Sequence, residues 1–494
     1  QMEFEPGRNC WRTARADQLS VIIDGKAYFR ALREALIAAR RRVLMIGWDF
    51  DFEIEMLPGE SDAQENAPDG LPNRIGAFLD ALAERHPDLD IYMLQWSGGV
   101  LVAPGKVLPS VQVKFLSPEQ VHLAFDGRHP VGACHHQKIV AIDDAIAFCG
   151  GIDVTEGRWD DRDHRSDNPL RRLANGDIAQ PWHDASMVMC GPAAHALSDL
   201  ARIRWARAND DELADLPQPS AQIWPSSVTP EFSEVTVAIA RTEPPERDKP
   251  ITHEIETLYL DAIAAAKDYI YLESQYFCAD TITKALEKRL LEVNGPEIIV
   301  INPHASQNEA EDAAMNVPRN RMIRTLQAAD RDGRFAVYYP VTATGEPIYV
   351  HAKIAITDGR FLRVGSSNLD RRSMGFDTEC DAALLAEDGP AGQKVQGVLH
   401  ALLAEHLGAE PRDVAKSLSE TGRLIATIER LTSPQGRGLR KLTPRKQHVI
   451  KEWLAQSRFF DPRYRRSAAS RLGITSRHLM IGAALIIGAL IYLW

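Results

Sequence analysis

The residues HHQKIVAIDDAIAFCGGID at 135–153 and HAKIAITDGRFLRVGSSN at 351–368 carry one pattern in two copies. His136 and His351 each stand two residues before a lysine (Lys138, Lys353), seven before an aspartate (Asp143, Asp358) and fourteen before a glycine (Gly150, Gly365). Gly151 follows Gly150, and Asp153 and Asn368 both stand seventeen residues past their histidine. A single H-x-K-x4-D match arises from composition alone in roughly a few per cent of such chains, and two copies agreeing at further positions arise far more rarely. The pattern predicts an internal duplication, which restricts the chain to folds with two equivalent halves.

The plan around the motifs repeats as well. GKAYFRALREALIAARRRVLMIGWDFD and ITHEIETLYLDAIAAAKDYIYLESQYF each place apolar residues at helical spacing and then an apolar strand. A second strand is predicted at DIYMLQW near residue 93 and at EIIVINP near residue 300, each after another helix. Within the motifs KIVAID and KIAITD, then IAFCGG and FLRVGSS, are β-rich runs separated by turn residues. The alternation predicts an α/β fold: two duplicated α-β-α halves packed as a pseudo-dimer, each sheet covered on both faces. LPQPSAQIWPSSVTPE, residues 216–231, is rich in Pro and Ser and marks the join. The expected organisation is a first half over 1–215, the linker 216–231, a second half over 232–410, a basic helical tail over 411–478 and a membrane segment over 479–494. In the tail, DVAKSLSETGRLIATIERL reads as one amphipathic helix and VIKEWLAQSRFF as a shorter one, with no strands beyond about residue 410.

The net charge of -11 conceals an asymmetry, because residues 437–477 carry twelve Lys or Arg against only Glu452 and Asp461. That segment is +10 and the rest of the chain -21. An acidic body is unsuited to gripping a polyanionic backbone, so no nucleic-acid partner is expected. The basic segment leads into LMIGAALIIGALIYLW, an uncharged run at 479–494. As a helix it would span about 24 Å, slightly short of a bilayer core. Its basic flank would stay on the cytoplasmic side and draw anionic lipid. The reading is a membrane-associated protein with a C-terminal anchor, or the stump of a larger membrane region, whose partner is a phospholipid surface and whose catalytic part faces the cytoplasm. The six cysteines (Cys10, Cys134, Cys149, Cys190, Cys278, Cys380) lack metal-ligand spacing and predict reduced, buried thiols.

A histidine and a lysine two apart on a strand share one face. Two such faces brought together around a pseudo-twofold would make one site with two imidazoles and two ammoniums, an arrangement suited to phosphoryl transfer. A phosphodiester is anionic, so the lysines and the Asn368 amide would hold its oxygens and stabilise charge in the transition state. One neutral imidazole would attack phosphorus while the other, protonated, delivers a proton to the leaving alkoxide. Such a route requires no metal and no cofactor. Each histidine needs its own orienting carboxylate, and symmetry alone does not choose which imidazole takes which task.

The paired motifs resemble the phospholipase D superfamily. HHQKIVAIDD, GGIDVTEGRWDDRDHRSD, PWHD, YLESQYF, YVHAKIAITD and GSSNLDRRSM resemble, in order, signatures of its eukaryotic-type members over roughly residues 20–410. The resemblance implies that His136 is the nucleophile and His351 the general acid. It implies that Lys138, Lys353 and Asn368 bind phosphate with Ser366 beside them, and that Asp184 orients the first histidine and Glu379 the second. Asp143 and Asp358 match the motif aspartates and are expected to hold the motif turns, with Gly150, Gly151 and Gly365 also structural. Asp153 stands where the second copy has Asn368; a carboxylate repels phosphate oxygens, so it is expected to pair with a lysine or position water. DDRDHRSD is expected to be a loop of solvated charges, not a metal cluster. Trp48, Trp159, Tyr276 and Phe277 stand beside the motifs as core side chains or as the lining of an acyl-glycerol channel.

Together these features imply a membrane-associated phospholipase D that cleaves the distal phosphodiester of a glycerophospholipid to phosphatidic acid through a phosphohistidine. Small or lipid alcohols would compete with water as acceptors. The alternatives are a phosphatidyltransferase of the cardiolipin synthase type, a nuclease, and a non-enzymatic membrane adaptor.

Overall fold

The computed structural model describes residues 2–98, 117–217, 223–245, 249–307, 309–386 and 389–444. The apolar runs named above become strands of one mixed sheet of sixteen strands. From the edge strand Val121–Asp126 the order runs Asp90–Trp96, Arg42–Gly47, Ile139–Ile142, Ile146–Gly150, Ala185–Cys190 and Arg12–Ile23. It continues through Phe232–Glu243, Glu379–Leu385, Phe361–Gly365, Ile354–Thr357, Tyr269–Glu273, Glu297–Ile301 and Phe335–Val341. Counted outward from the centre, the two series correspond strand for strand. They join through the antiparallel pairing of Arg12–Ile23 with Phe232–Glu243, which sets Arg12 opposite Ile239 and Leu19 opposite Phe232.

Helices cover both faces, and their sequences explain where they start and stop. The helix Gly25–Ile37 buries Tyr28, Phe29, Leu32 and Leu36, which helical spacing places on one side. The helices Pro192–Asn209 and Pro390–Leu407 both begin with proline in the first turn, where its missing N–H costs nothing. Both end at a left-handed residue, Asp210 and Gly408. On the face they cover, one apolar core runs across both series of strands. On the other face each series has a core of its own. All six cysteines are free and buried.

The C-terminal region departs from expectation. DVAKSLSETGRLIATIERL is two helices, Pro411–Thr421 and Leu424–Leu431, because the chain turns at Gly422 with φ 68°. A strand also follows: Gly438–Lys441 pairs antiparallel with Phe335–Val341 and extends the sheet. Residues 218–222 of the predicted linker, the helix expected at VIKEWLAQSRFF and the proposed anchor at 479–494 lie outside the described residues. Among the described residues no helix is long and apolar enough to cross a membrane.

The motif aspartates secure the neighbouring strand more than their own turn. The Asp143 carboxylate accepts the backbone N–H groups of Arg40, Arg41 and Arg42, each at 2.8 Å, at the start of Arg42–Gly47. Asp358 accepts those of Lys267, Asp268 and Tyr269 at 2.7, 2.9 and 3.0 Å, at the start of Tyr269–Glu273. Asp143→Ala should strand three donors at once. A loss of about 2–4 kcal/mol is expected, read as a lower urea midpoint with the slope unchanged, and Asp143→Asn should recover part of it.

Candidate active site

His136 and Lys138 lie immediately before the strand Ile139–Ile142, and His351 and Lys353 immediately before Ile354–Thr357. The expected placement inside the strands is off by one step, yet each pair still turns to one side. Lys138 Nζ donates to the carbonyl of His136 at 2.8 Å, and Lys353 Nζ makes the same bond to the carbonyl of His351. Both histidines feel both lysines. The two copies therefore open into one site.

The orienting carboxylates are exchanged relative to the order that the family resemblance implied. His136 Nδ1 lies 3.0 and 3.1 Å from the two oxygens of Glu379. His351 Nδ1 lies 2.6 Å from Asp184 Oδ2. Backbone pairing across the join is the cause. Tyr349–Val350 runs parallel to Trp182–His183, and the N–H of His351 donates to the carbonyl of His183 at 2.8 Å, which delivers this imidazole beside Asp184. On the other side the N–H of His136 donates to the carbonyl of Thr378 at 2.8 Å, beside Glu379. Each carboxylate is itself held: Glu379 accepts the hydroxyls of Ser366 at 2.5 Å and Ser373 at 2.7 Å, and Asp184 Oδ1 accepts the N–H of Ala185 at 2.8 Å. Ser366, expected beside the phosphate, gives its hydroxyl to Glu379. The sequence gives no sign of Ser373, six residues before Glu379, nor of the backbone carbonyls of His183 and Thr378, because no local spacing announces a partner from across the join.

Asn368 is buried, and its side-chain oxygen has no hydrogen-bond partner among the described residues. Asp153 lies 3.2 Å from Lys138 Nζ, and its other oxygen accepts the N–H of Trp48 at 3.1 Å. The glycines make room. A Cβ on Gly151 would sit 2.3 Å from Asp184 Oδ1, and one on Gly365 would sit 2.1 Å from Asp381 Oδ1. Gly150 passes against the backbone of Ser186 in the same way.

Burial and the charges of Lys138 and Lys353 hold the His136 imidazole well below its ordinary value, so it is neutral at pH 7. Burial, Lys353 and a third cation, Arg158, do the same to His351. An anion entering among these cations would raise His351 towards its protonated form. Burial pushes both carboxyls upward, against the pull of Lys353 on Asp184 and of the serine hydroxyls and Lys138 on Glu379. Burial also brings Lys353 down to about 7. The Lys353 ammonium is therefore present below that pH and lost above it. The ratio kcat/KM, which reports the free protein, should therefore fall along an alkaline limb starting near pH 7. Lys353→Arg, which stays charged, should remove that limb while lowering the plateau.

A family model described as "Phospholipase D" matches residues 126–289, and one described as "Cardiolipin synthase, PLD-like domain" matches residues 259–402. The first match contains His136 and Lys138, the second His351 and Lys353. The chain belongs to the phospholipase D superfamily. Phospholipase D alpha 1 of Nicotiana tabacum is 24% identical over 515 residues, covering 76% of this chain and 63% of the relative. Phospholipase D A of Dictyostelium discoideum is 23% identical over 446 residues, covering 77% of this chain and 34% of the relative. The chain thus spans less than two thirds of the length of these relatives. Among solved structures, a phosphatidylserine synthase from Haemophilus influenzae Rd KW20 shares the fold, with a TM-score of 0.53 at 12% identity over 84% of this chain and 96% of that one.

In this member of the phospholipase D superfamily, the DDRDHRSD stretch is not a loop of solvated charges throughout. Asp160 and His164 are fully buried. His164 Nδ1 lies 2.8 Å from Asp160, and its Nε2 lies 3.0 Å from Glu405 and 3.2 Å from Asp24. His183 Nδ1 adds contacts of 3.1 Å to Asp24 and 2.9 Å to Glu405, and its Nε2 lies 2.7 Å from Glu273. The sequence had offered no metal ligands, but Asp24, His164, His183 and Glu405 could hold a metal ion, their ligand atoms all lying within 4.8 Å of one another. Asp160 and Glu273 would then orient the two imidazoles. Of the four aromatics, Phe277 and Trp159 are core, whereas Trp48 stacks on Trp96 with centroids 5.6 Å apart and is tied to Asp153. Tyr276 accepts from Gln275 at 3.0 Å.

Proposed function

We propose that the chain is a phospholipase D of two duplicated halves, 1–215 and 232–410, packed as a pseudo-dimer and joined by 216–231. It would hydrolyse the distal phosphodiester of a glycerophospholipid to phosphatidic acid. The observation that carries this reading is the exchange of carboxylates: each motif imidazole has its Nδ1 engaged by a carboxylate from the other side of the join. That leaves both Nε2 atoms for one phosphorus between two lysines.

The chemistry runs in two displacements. The neutral His136 Nε2 forms a bond to phosphorus as the bond to the head-group oxygen breaks, and that oxygen takes the proton from His351 Nε2. Water then attacks phosphorus, His351 takes its proton, and the P–N bond breaks. The lysines and the Asn368 amide stabilise the phosphoryl oxygens. Lys138, paired with Asp153 at rest, is released to the phosphate when substrate arrives. An alcohol in place of water gives the phosphatidyl alcohol.

A phosphatidyltransferase of the cardiolipin synthase type is the second reading, supported by the description of the family model over 259–402. The acidic body weighs against a nuclease. Association with a membrane would come from the basic tail and the anchor at 479–494. The test is to incubate the full chain with a panel of phospholipids, with and without a small primary alcohol, and to identify products by mass. Phosphatidic acid, diverted to phosphatidyl alcohol when alcohol is present, is the expected result. Cardiolipin from phosphatidylglycerol would favour transfer, and DNA cleavage with no lipid turnover would overturn both readings.

A further inference from the structure

The segment that follows Asp153 brings one more cation to the site. The guanidinium carbon of Arg158 lies 4.2 Å from the centroid of the Trp182 ring, and Trp182 lies 5.0 Å from the imidazole of His351, centroid to centroid. The charge of Arg158 bears on both His351 and Asp184. Its neighbours in the same loop are neutralised: Arg162 lies 2.6 Å from Glu405, and Arg171 lies 3.0 Å from Asp160. Arg158 has no such partner among the described residues, and its Nε is buried without an acceptor. The indole Nε1 of Trp182 is likewise buried and unpartnered. The Nε–H is dry and without an acceptor, which is costly, while the side chain as a whole is only partly buried; a ligand reaching that guanidinium would supply the missing acceptor and counter-charge.

We propose that Arg158 is a third cationic arm of the site, which binds a pair of anionic oxygens of the substrate alongside Lys138 and Lys353. A guanidinium lying over an indole keeps its N–H edge free, and that planar fork fits phosphate or carboxylate oxygens two at a time, as an ammonium does not. The oxygens belong either to the scissile phosphodiester or to a second anion on the head group. The proposal rests on the phospholipase reading above.

The full chain and its Arg158→Gln and Arg158→Lys variants test it in two measurements. The first is the binding of inorganic phosphate by calorimetry, which needs no turnover. The second is kcat/KM on phosphatidylcholine and on phosphatidylserine in mixed micelles. Arg158→Gln should weaken phosphate binding and lower kcat/KM about 10- to 100-fold, mainly through KM. Arg158→Lys should recover part of the loss, and millimolar guanidinium should relieve the glutamine variant. An equal loss on both lipids assigns the scissile phosphodiester; a loss confined to phosphatidylserine assigns the head-group anion. Phosphate affinity and kcat/KM both within twofold of the unmodified chain would overturn the proposal. So would a loss that neither lysine nor guanidinium relieves, which marks a structural part. If the unmodified chain turns over no lipid while Arg158→Gln still loses phosphate, the phospholipase reading fails and the anion site stands.

Discussion

His351→Asn should give a protein that attacks its substrate and cannot finish. A nitrophenyl phosphodiester with a short acyl-glycerol arm needs little help in departure, so this variant should release a burst of about one equivalent of nitrophenolate. It should then stall with phosphorus on His136, visible as added mass on the intact chain. On a natural lipid, whose alkoxide must be protonated, the same variant should lose a factor of ~10²–10⁴. His136→Asn removes the attacking atom and should show neither burst nor adduct with any leaving group. An adduct on His351 in the His136→Asn variant would reverse the two roles.

The exchanged carboxylates make the second large effect specific to one half-reaction. Glu379→Gln should slow the nitrophenolate burst by roughly 10²–10⁴-fold, because His136 loses the group that fixes its tautomer and carries its developing charge. Asp184→Asn should leave the burst nearly intact and slow the release of the adduct by a similar factor, because it acts through His351. Combining Glu379→Gln with His136→Asn should cost little more than His136→Asn alone, since the two act as one unit. The opposite pattern, with Asp184 governing the burst, would mean that each carboxylate serves the histidine of its own half.

The register of the two motifs made the local structure legible. KIVAID and KIAITD became matching strands beside matching helices, because alternation and apolar spacing are local properties. The central strand Arg12–Ile23 was not visible in that way. Its first half carries Arg12, Arg15 and Asp17 and is largely exposed, so its place at the centre depends on Phe232–Glu243 far along the chain. The exchange of Asp184 and Glu379 was hidden for the same reason. Reading each carboxylate to its own motif is natural when only order along the chain is known, and the short pairing of Tyr349–Val350 with Trp182–His183 decides otherwise. His164 read as surface because its partner Glu405 lies 241 residues beyond it, and Asp160 because its contacts to His164, Arg171 and the N–H of Trp182 form only when the loop folds back on itself. A charged run can be dry when its own members and distant residues together supply the opposite charges.

The exchange also bears on what any fragment of this chain could do. A shortened polypeptide ending anywhere between Asp153 and Thr378 would still contain the first motif intact, yet His136 would face an empty place where Glu379 belongs. Detecting the motif in such a fragment would say nothing about competence. Conversely, a change at Glu379, far from the first motif in sequence, should slow the chemistry at His136. A substitution in one copy is thus expected to be felt at the histidine of the other.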